Sequence, residues 1–310
     1  MKYYILQGIR RLVQLAVLAG LVAVIYTNLY AHYRAARALE DLTGFQGQVL
    51  MAIDRTCERL DDPQLWLDST TGTLWSMKIR GVEFTDPLAA AEAMAASRSL
   101  YVPLFFSVLI PVLGTLLLGR VFCRWICPGY LLFEIGHPLR RLLRLAEIPP
   151  ASVKFFFKNK YIFLGVGLVC AAVTGLPLFA NIYPPAVISR ILHAWIFGTA
   201  LTAMLIVLVL MLVFEVFVSP RWWCRTMCPG GALSGLIGAA RLLRVKVKPS
   251  CTSCGKCEPV CPMDLNPETQ STGIECDNCG VCLRHCPQKS LRWGLQLPGL
   301  RGNKKVKGTV

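Results

Sequence analysis

The sequence predicts an all-α polytopic membrane protein, four transmembrane helices in two pseudo-repeated pairs, carrying a small cysteine-rich α+β domain at its C-terminal end. Three observations lead there. The 310 residues are 54% apolar and only 16% charged, with a mean hydropathy of +0.50, whereas an ordinary soluble domain carries about 25% charged residues. Four apolar stretches, Leu12 to Tyr30, Leu100 to Gly119, Tyr161 to Ala180 and Ala194 to Val218, match the roughly 20 helical residues that cross a hydrocarbon core. Fourteen cysteines in a chain neither short nor evidently secreted favour metal ligation over a disulfide scaffold.

The first stretch reads as a helix. Its apolar part exceeds the roughly 7 to 15 residues of a signal-peptide core, and no small-x-small cleavage site follows. Arg10 and Arg11 invite a twin-arginine export reading, but GIRRLVQLA matches that signal poorly, and paired basic residues before a first span are common. The segment 31–99 contains helix-like and turn-rich patches, including DPLAAAEAMAA at 86–96, and is expected to form a small cap.

Lys and Arg fix the expected orientation. With alternate loops on opposite sides, twenty-five fall in the tail before the first span, the loop 120–160 and the tail from 219; eight fall in the loop 31–99 and the turn 181–193. The positive-inside rule then places both termini and the cysteine-rich tail in the cytoplasm of a bacterial inner membrane, with 31–99 in the periplasm. The charge of +15 is therefore read as topology. No soluble block mixes Lys and Arg with aromatics, so nucleic-acid binding is rejected. The expected segments are 1–30 (tail and first helix), 31–99 (periplasmic loop), 100–248 (membrane domain), 249–292 (metal-binding domain) and 293–310 (basic tail).

An internal repeat runs through the membrane part. CRWICPGYLLFEIGHPLRRLLR starts at Cys123 and CRTMCPGGALSGLIGAARLLR at Cys224; both share CRxxCPG, a later Ile-Gly and a closing RLLR. Two related helix pairs would each end in this motif, and pseudo-symmetry would bring the motifs together.

The tail carries the most specific signal. Cys251, Cys254, Cys257, Cys261 and Pro262 form C-x2-C-x2-C-x3-C-P, and Cys276, Cys279, Cys282, Cys286 and Pro287 repeat it. This is the bacterial two-cluster ferredoxin pattern, in which the fourth Cys of each run ligates the other cube. The expected ligand sets for two [4Fe-4S] clusters are Cys251, Cys254, Cys257 with Cys286, and Cys276, Cys279, Cys282 with Cys261. Zinc modules need longer spacers between ligand pairs and do not explain a triple-plus-proline spacing that occurs twice. The predicted tail fold is a C-terminal α+β bacterial two-cluster ferredoxin domain, with little apolar core of its own, so metal binding is expected to supply much of its folding energy.

The two C-x3-C-P motifs, Cys123 with Cys127 and Cys224 with Cys228, would present two sulfurs on one helical face each. The four sulfurs could hold a third metal centre, act as redox dithiols or pack as small apolar groups. Ligand and dithiol remain open alternatives at this level. Cys170, inside the third span, reads as a packing thiol, and Cys57 as a solitary exposed thiol in the external segment.

The order of four spans, two CxxxCP motifs after the second and fourth, a DPLA segment (Asp86, Pro87, Leu88, Ala89) before the second span, and a terminal two-cluster cysteine pattern resembles the NapH family, with MauN proteins as relatives sharing the plan. The cysteine motifs also occur in the wider group that includes NosR and CcoG proteins. NosR-like chains carry an external flavin domain, for which 69 residues here leave little room; CcoG-like chains arrange spans and cluster domain differently. The resemblance implies oxidation of a membrane quinol, with electrons passed through iron-sulfur centres to a NapG-like iron-sulfur protein or another redox subunit. The family's terminal acceptors are periplasmic, while the charge bias puts the clusters in the cytoplasm. The rival reading is a membrane polyferredoxin that matures or maintains a metalloenzyme, as in NosR or CcoG.

Quinol oxidation needs a proton acceptor at the bilayer edge, where ionisable residues are functional candidates by default. Those here are Glu134 and His137 beyond the first CxxxCP, and Glu215 near the end of the fourth span, where an otherwise apolar run demands that a carboxyl be paired, protonated or wet. His193 and Arg190 at the outer face read as anchors or caps.

Overall fold

Apolar runs, prolines and glycines set the element boundaries. The structure, a computed structural model, describes residues 2–37, 44–59, 62, 66–67, 70–73, 76–79, 82–148, 150–153, 155–200, 202–268 and 273–295. Most of the expected basic tail 293–310 lies outside the described residues. The chain divides into two compact units: Met1–Gln14, Pro111–Val166 and Val213–Val310 form one, Leu15–Ile110 and Gly167–Leu212 the other.

In the second unit, α1 (Lys2–Ala35) contributes its residues from Leu15 onward. There Leu21, Ile25, Leu29 and Tyr30 pack on Leu50 and Cys57 of α2 (Gly44–Cys57) and on Leu67 and Ile196. The Tyr30 hydroxyl donates to Asp54 Oδ1 at 2.5 Å. Cys57 is only 2% exposed within this cluster. The expected exposed thiol is corrected: its sulfur sits on the apolar face of an amphipathic helix. The rest of the segment 31–99 includes a three-stranded antiparallel sheet, β1 (Thr70–Gly72), β2 (Ser76–Ile79) and β3 (Val82–Thr85), in that order, with Met77 paired to Phe84.

The DPLA segment is a helix start. Asp86 caps α3 (Pro87–Ser97), accepting from Leu88 N at 2.8 Å, with Pro87 in the first turn where no N–H is needed. Its other carboxylate oxygen accepts from the Tyr183 hydroxyl at 3.1 Å. One turn into α3, buried Glu92 accepts from Phe179 N at 2.6 Å. Phe179 is itself seated where Gly167 has no side chain: a Cβ there would fall 2.1 Å from its ring.

All four apolar stretches contain helix, with different boundaries. Over Ile5–Ala35, α1 is long and apolar enough to cross a membrane. The next apolar helices, α4 (Val102–Leu118), α7 (Asn159–Thr174) and α9 (Thr202–Phe217), have 17, 16 and 16 residues, about 24 to 26 Å at 1.5 Å per residue. The third stretch stops early because Gly175 takes a left-handed φ of 71° and Pro177 follows. The fourth is interrupted: α8 (Pro184–Phe197) ends at Gly198, φ 68°, before α9 begins. The expected turn 181–193 is thus largely the start of α8.

In the first unit, α4 leads through Gly119 into α5 (Val121–Trp125) and α6 (Pro128–Leu145). After α9 come a π-helical turn, Trp223–Met227, and α10 (Pro229–Ile237). The cysteine-rich tail has little regular structure beyond α11 (Val281–His285). It is bracketed by an antiparallel pair, β4 (Leu243–Val247) and β5 (Leu291–Leu295), in which Val245 faces Trp293. Gly280, φ 72°, starts α11 directly beneath the Trp293 ring, 2.6 Å from where a Cβ would lie.

Burial pushes the Asp86 carboxyl up to about 6, against the lowering effect of its Leu88, Tyr183 and Ala89 hydrogen bonds. A folded-state value above the unfolded 3.8 means the folded chain binds the extra proton, so this contribution to stability is present in acid and lost as pH rises through about 6. Asp86→Asn keeps the cap acceptor without the charge. Its stability should match that of the unsubstituted chain near pH 4 and exceed it at pH 7 by up to about 3 kcal/mol, seen as a higher melting midpoint at pH 7 only; thermal unfolding in detergent at the two pH values checks this.

Candidate functional site

The cysteine-rich tail places four thiols around one cavity. Cys261, Cys276, Cys279 and Cys282 line it together with Val245, Met263 and Leu265, and Cys276, Cys279 and Cys282 are buried. Cys257 and Cys286 pack against the same cluster. Cys251 and Cys254 both lie within electrostatic reach of Cys257. Ser290 N donates to Cys286 Sγ at 3.3 Å. Burial pushes the Cys276 thiol up to about 11 and also raises Cys279, Cys282, Cys257 and Cys261. Such thiols keep their protons at neutral pH unless a cation displaces them. Among the described residues, no three His, Cys, Asp or Glu side chains converge on a single point as a one-ion site requires. A cube differs, since each thiolate binds its own iron.

The two CxxxCP motifs fold alike. Cys127 and Cys228 cap α6 and α10 with nearly identical backbone angles, φ −62°, ψ 117° and φ −63°, ψ 113°. Each donates its N–H five residues back, Cys127 to Phe122 O at 3.0 Å and Cys228 to Trp223 O at 2.8 Å. The prolines dictate this: Pro128 and Pro229 fit the first helical position and push the preceding cysteine into extended backbone. Each pair therefore straddles a helix start rather than sharing one helical face, which corrects the i, i+4 expectation. Cys224 and Cys228 lie within the electrostatic reach of Cys123, and Cys224 also of Cys127. Burial pushes Cys228 up to about 12.

Salt bridges fasten the tail to these motifs. The arginine after the first cysteine of each motif reaches an aspartate in the tail: Arg124 Nη1 lies 3.9 Å from Asp277 Oδ2, and Arg225 Nη2 lies 2.8 Å from Asp264 Oδ2. Glu275, just before Cys276, takes Arg120 Nη1 at 2.8 Å, Lys160 Nζ, and the Tyr161 hydroxyl at 2.6 Å. Asn278 donates to Leu118 O at 2.7 Å, and Arg241 to Cys276 O at 3.1 Å. Burial alone would raise the Glu275 carboxyl; Arg120 and Lys160 outweigh it and hold it below the ordinary range.

The three titratable candidates sit around Arg221. Glu134 is held by Arg10 at 3.3 Å and Arg11 at 2.8 Å. Burial, then Arg221, pushes His137 down to about 4. Glu215 Oε1 accepts from Arg221 N, while its Oε2 is buried without a described hydrogen-bond partner. The backbone of Glu215 is held by Arg140, and its side chain packs where Gly136 leaves room. His193 stacks on Phe197 at 4.1 Å, and Arg190 bonds Asn181; both are engaged within the second unit. Sequence reasoning missed Arg120, Lys160, Glu275, Asp264 and Asp277. The Arg shared by both CRxxCPG copies was the available signal; its partners are long-range and carry none.

A family model described as a 4Fe-4S binding domain matches residues 100–146 and 199–249, the two segments that contain the CxxxCP motifs. The chain is 29% identical to the ferredoxin-type protein NapH of Haemophilus influenzae over 231 residues, 70% of this chain and 77% of that one. It is 30% identical to the ferredoxin-type protein NapH of Escherichia coli over 219 residues, 67% and 73% of the two chains. It is 31% identical to the methylamine utilization ferredoxin-type protein MauN of Paracoccus denitrificans over 195 residues, 62% and 66%. No solved structure matches.

Glu275→Gln leaves two buried cations without their counter-charge, which costs about 3 kcal/mol or more. The expected drop in melting midpoint is insensitive to salt, because the groups are buried. It should shrink in acid, since a carboxylate with a lowered folded value loses its contribution as pH falls below the unfolded 4.5. Melts at two salt concentrations and two pH values check both features.

Proposed function

The chain belongs to the NapH family of ferredoxin-type proteins, and from that membership we propose that it oxidises membrane quinol and passes the electrons through two [4Fe-4S] clusters to a partner iron-sulfur protein or reductase. In this reading it spans a bacterial inner membrane four times, with both termini and the clusters cytoplasmic. The observation that carries the redox part is the largely apolar cavity that Cys261, Cys276, Cys279 and Cys282 line together. A donor set of four thiols lined by apolar side chains fits a cube, with Cys251, Cys254, Cys257 and Cys286 as the second set. When bound, the cubes supply one-electron steps to a two-electron donor.

The chain's own residues do the rest. Asn278, Arg241 and Glu275 hold the 275–279 loop against Leu118 and Arg120, which keeps the proposed cradle beside the first CxxxCP motif and shortens any electron path between them. The CxxxCP thiols, in mutual electrostatic reach, are the candidates for a further centre or a dithiol relay. For the two quinol protons, Glu215 is the acceptor best supported, because Oε2 is buried with no described partner. Glu134 is already committed to Arg10 and Arg11. His137, pushed down to about 4, stays neutral at physiological pH and suits a hydrogen-bond acceptor for a quinol hydroxyl.

Anaerobic EPR of the purified protein, before and after a reduced quinol analogue, tests the reading. Cluster signals should appear with quinol. Glu215→Gln should slow their appearance about tenfold or more while leaving dithionite reduction intact, the range expected for loss of a general base. His137 should contribute no inflection between pH 6 and 8. Signals obtained only with dithionite would contradict quinol oxidation and favour the maturation or maintenance role.

A further inference from the structure

A second cavity, of about 450 Å³, opens in the first unit beside the N-terminal turns of α1. Five of its lining side chains are arginines, Arg10, Arg11, Arg124, Arg221 and Arg284, and one is an acid, Glu134. Glu134 is taken up by Arg10 and Arg11. Arg124 has Asp277 at 3.9 Å, too far for a hydrogen bond. Arg10 and Arg124 are 3% and 2% exposed, and Nε and Nη1 of both are buried without a hydrogen-bond partner. Three of the guanidinium groups crowd one ring: Arg124, Arg221 and Arg10 lie 4.3, 5.4 and 5.7 Å from the centre of Tyr130.

Like charges at this spacing repel, and a buried guanidinium with unmade hydrogen bonds is costly. The Tyr130 ring face offsets a part of that. What would offset the remainder is an oxyanion: guanidinium forks match phosphate oxygens in pairs. The volume lies in the range of small-ligand sites, large enough for a phosphate headgroup.

We propose that this cavity is a binding site for a phosphate-bearing anion, gripped by Arg10, Arg124 and Arg221 with Arg11 and Arg284 at its rim. The phosphate can come from an anionic phospholipid headgroup, which basic pockets at the cytoplasmic side of membrane helices accept, or from free phosphate. Gln7, which also lines the cavity, donates to Cys279 O at 3.3 Å. The cavity wall is thereby tied to the cysteine loop. The inference stands independently of quinol oxidation.

The test is thermal unfolding of the full chain, purified anaerobically in neutral detergent, titrated in separate arms with inorganic phosphate, dioctanoyl phosphatidylglycerol and zwitterionic dioctanoyl phosphatidylcholine. A ligand that binds only the folded state raises the midpoint, by about 5 °C near 100-fold excess over its dissociation constant. A rise with phosphatidylglycerol alone supports the site and assigns a lipid source. A rise with phosphate, with or without the lipid, supports it and shows that the free anion suffices. No rise in either arm, or an equal rise with phosphatidylcholine, overturns it. Arg124→Gln should raise the half-saturating concentration about tenfold. Arg11→Gln, at a side chain 43% exposed and so compatible with folding, should raise it severalfold. Unchanged half-saturation in Arg11→Gln and any folded Arg124→Gln would overturn the assignment.

Discussion

A single buried carboxylate, Glu275, held between Arg120 and Lys160 and capped by Tyr161, is the constraint on which the first unit depends. Arg120 stands at the C-terminal end of an apolar helix and Glu275 immediately before a cysteine triple, so their pairing decides where the cysteine loop can sit. Neither charge tolerates burial alone, because removing one partner leaves the other desolvated and uncompensated. The pair also gives direction to weaker contacts. Once Glu275 is fixed, Asn278 reaches Leu118 O, and Arg241 reaches the carbonyl of Cys276. A segment with almost no regular structure is thereby held by side chains from helices, and its cysteines inherit the rigidity of those helices.

The internal repeat gives the arrangement its economy. Two copies of CRxxCPG produce two helix caps with the same backbone angles, and each copy extends its arginine to a different turn of the tail. One reaches the aspartate after Cys276, the other the aspartate two residues beyond Pro262. The tail repeats its own cysteine pattern, so each CRxxCPG segment meets one of the tail's two runs. Five arginines and one glutamate line the neighbouring cavity, a further side of this basic face.

Local rules made much of this legible in the sequence. Cysteine spacing singled out the tail, and apolar runs located the helices. Boundaries were less legible where one residue overrode a run. Gly198 divides the stretch 194–218 because it ends α8 in left-handed backbone, although its neighbours are all compatible with helix. Prolines decided the CxxxCP geometry against a simple helical spacing: Pro128 and Pro229 force Cys127 and Cys228 to be caps. Cys57 was misjudged because its setting in the segment 31–99 suggested exposure, while its burial in a cluster with Tyr30 and Ile196 depends on residues far away in sequence. The ion pairs of Arg120, Arg124 and Arg225 join positions 39 to 155 residues apart, and no periodicity encodes such a pairing.

The central claim, that the tail is a cradle for two cubes, is tested most directly by iron and acid-labile sulfide quantification on anaerobically purified, folded protein, with EPR of the dithionite-reduced sample. The account predicts about eight iron and about eight sulfide per chain with cubane signals. Four or fewer iron atoms, or zinc in their place, would contradict it.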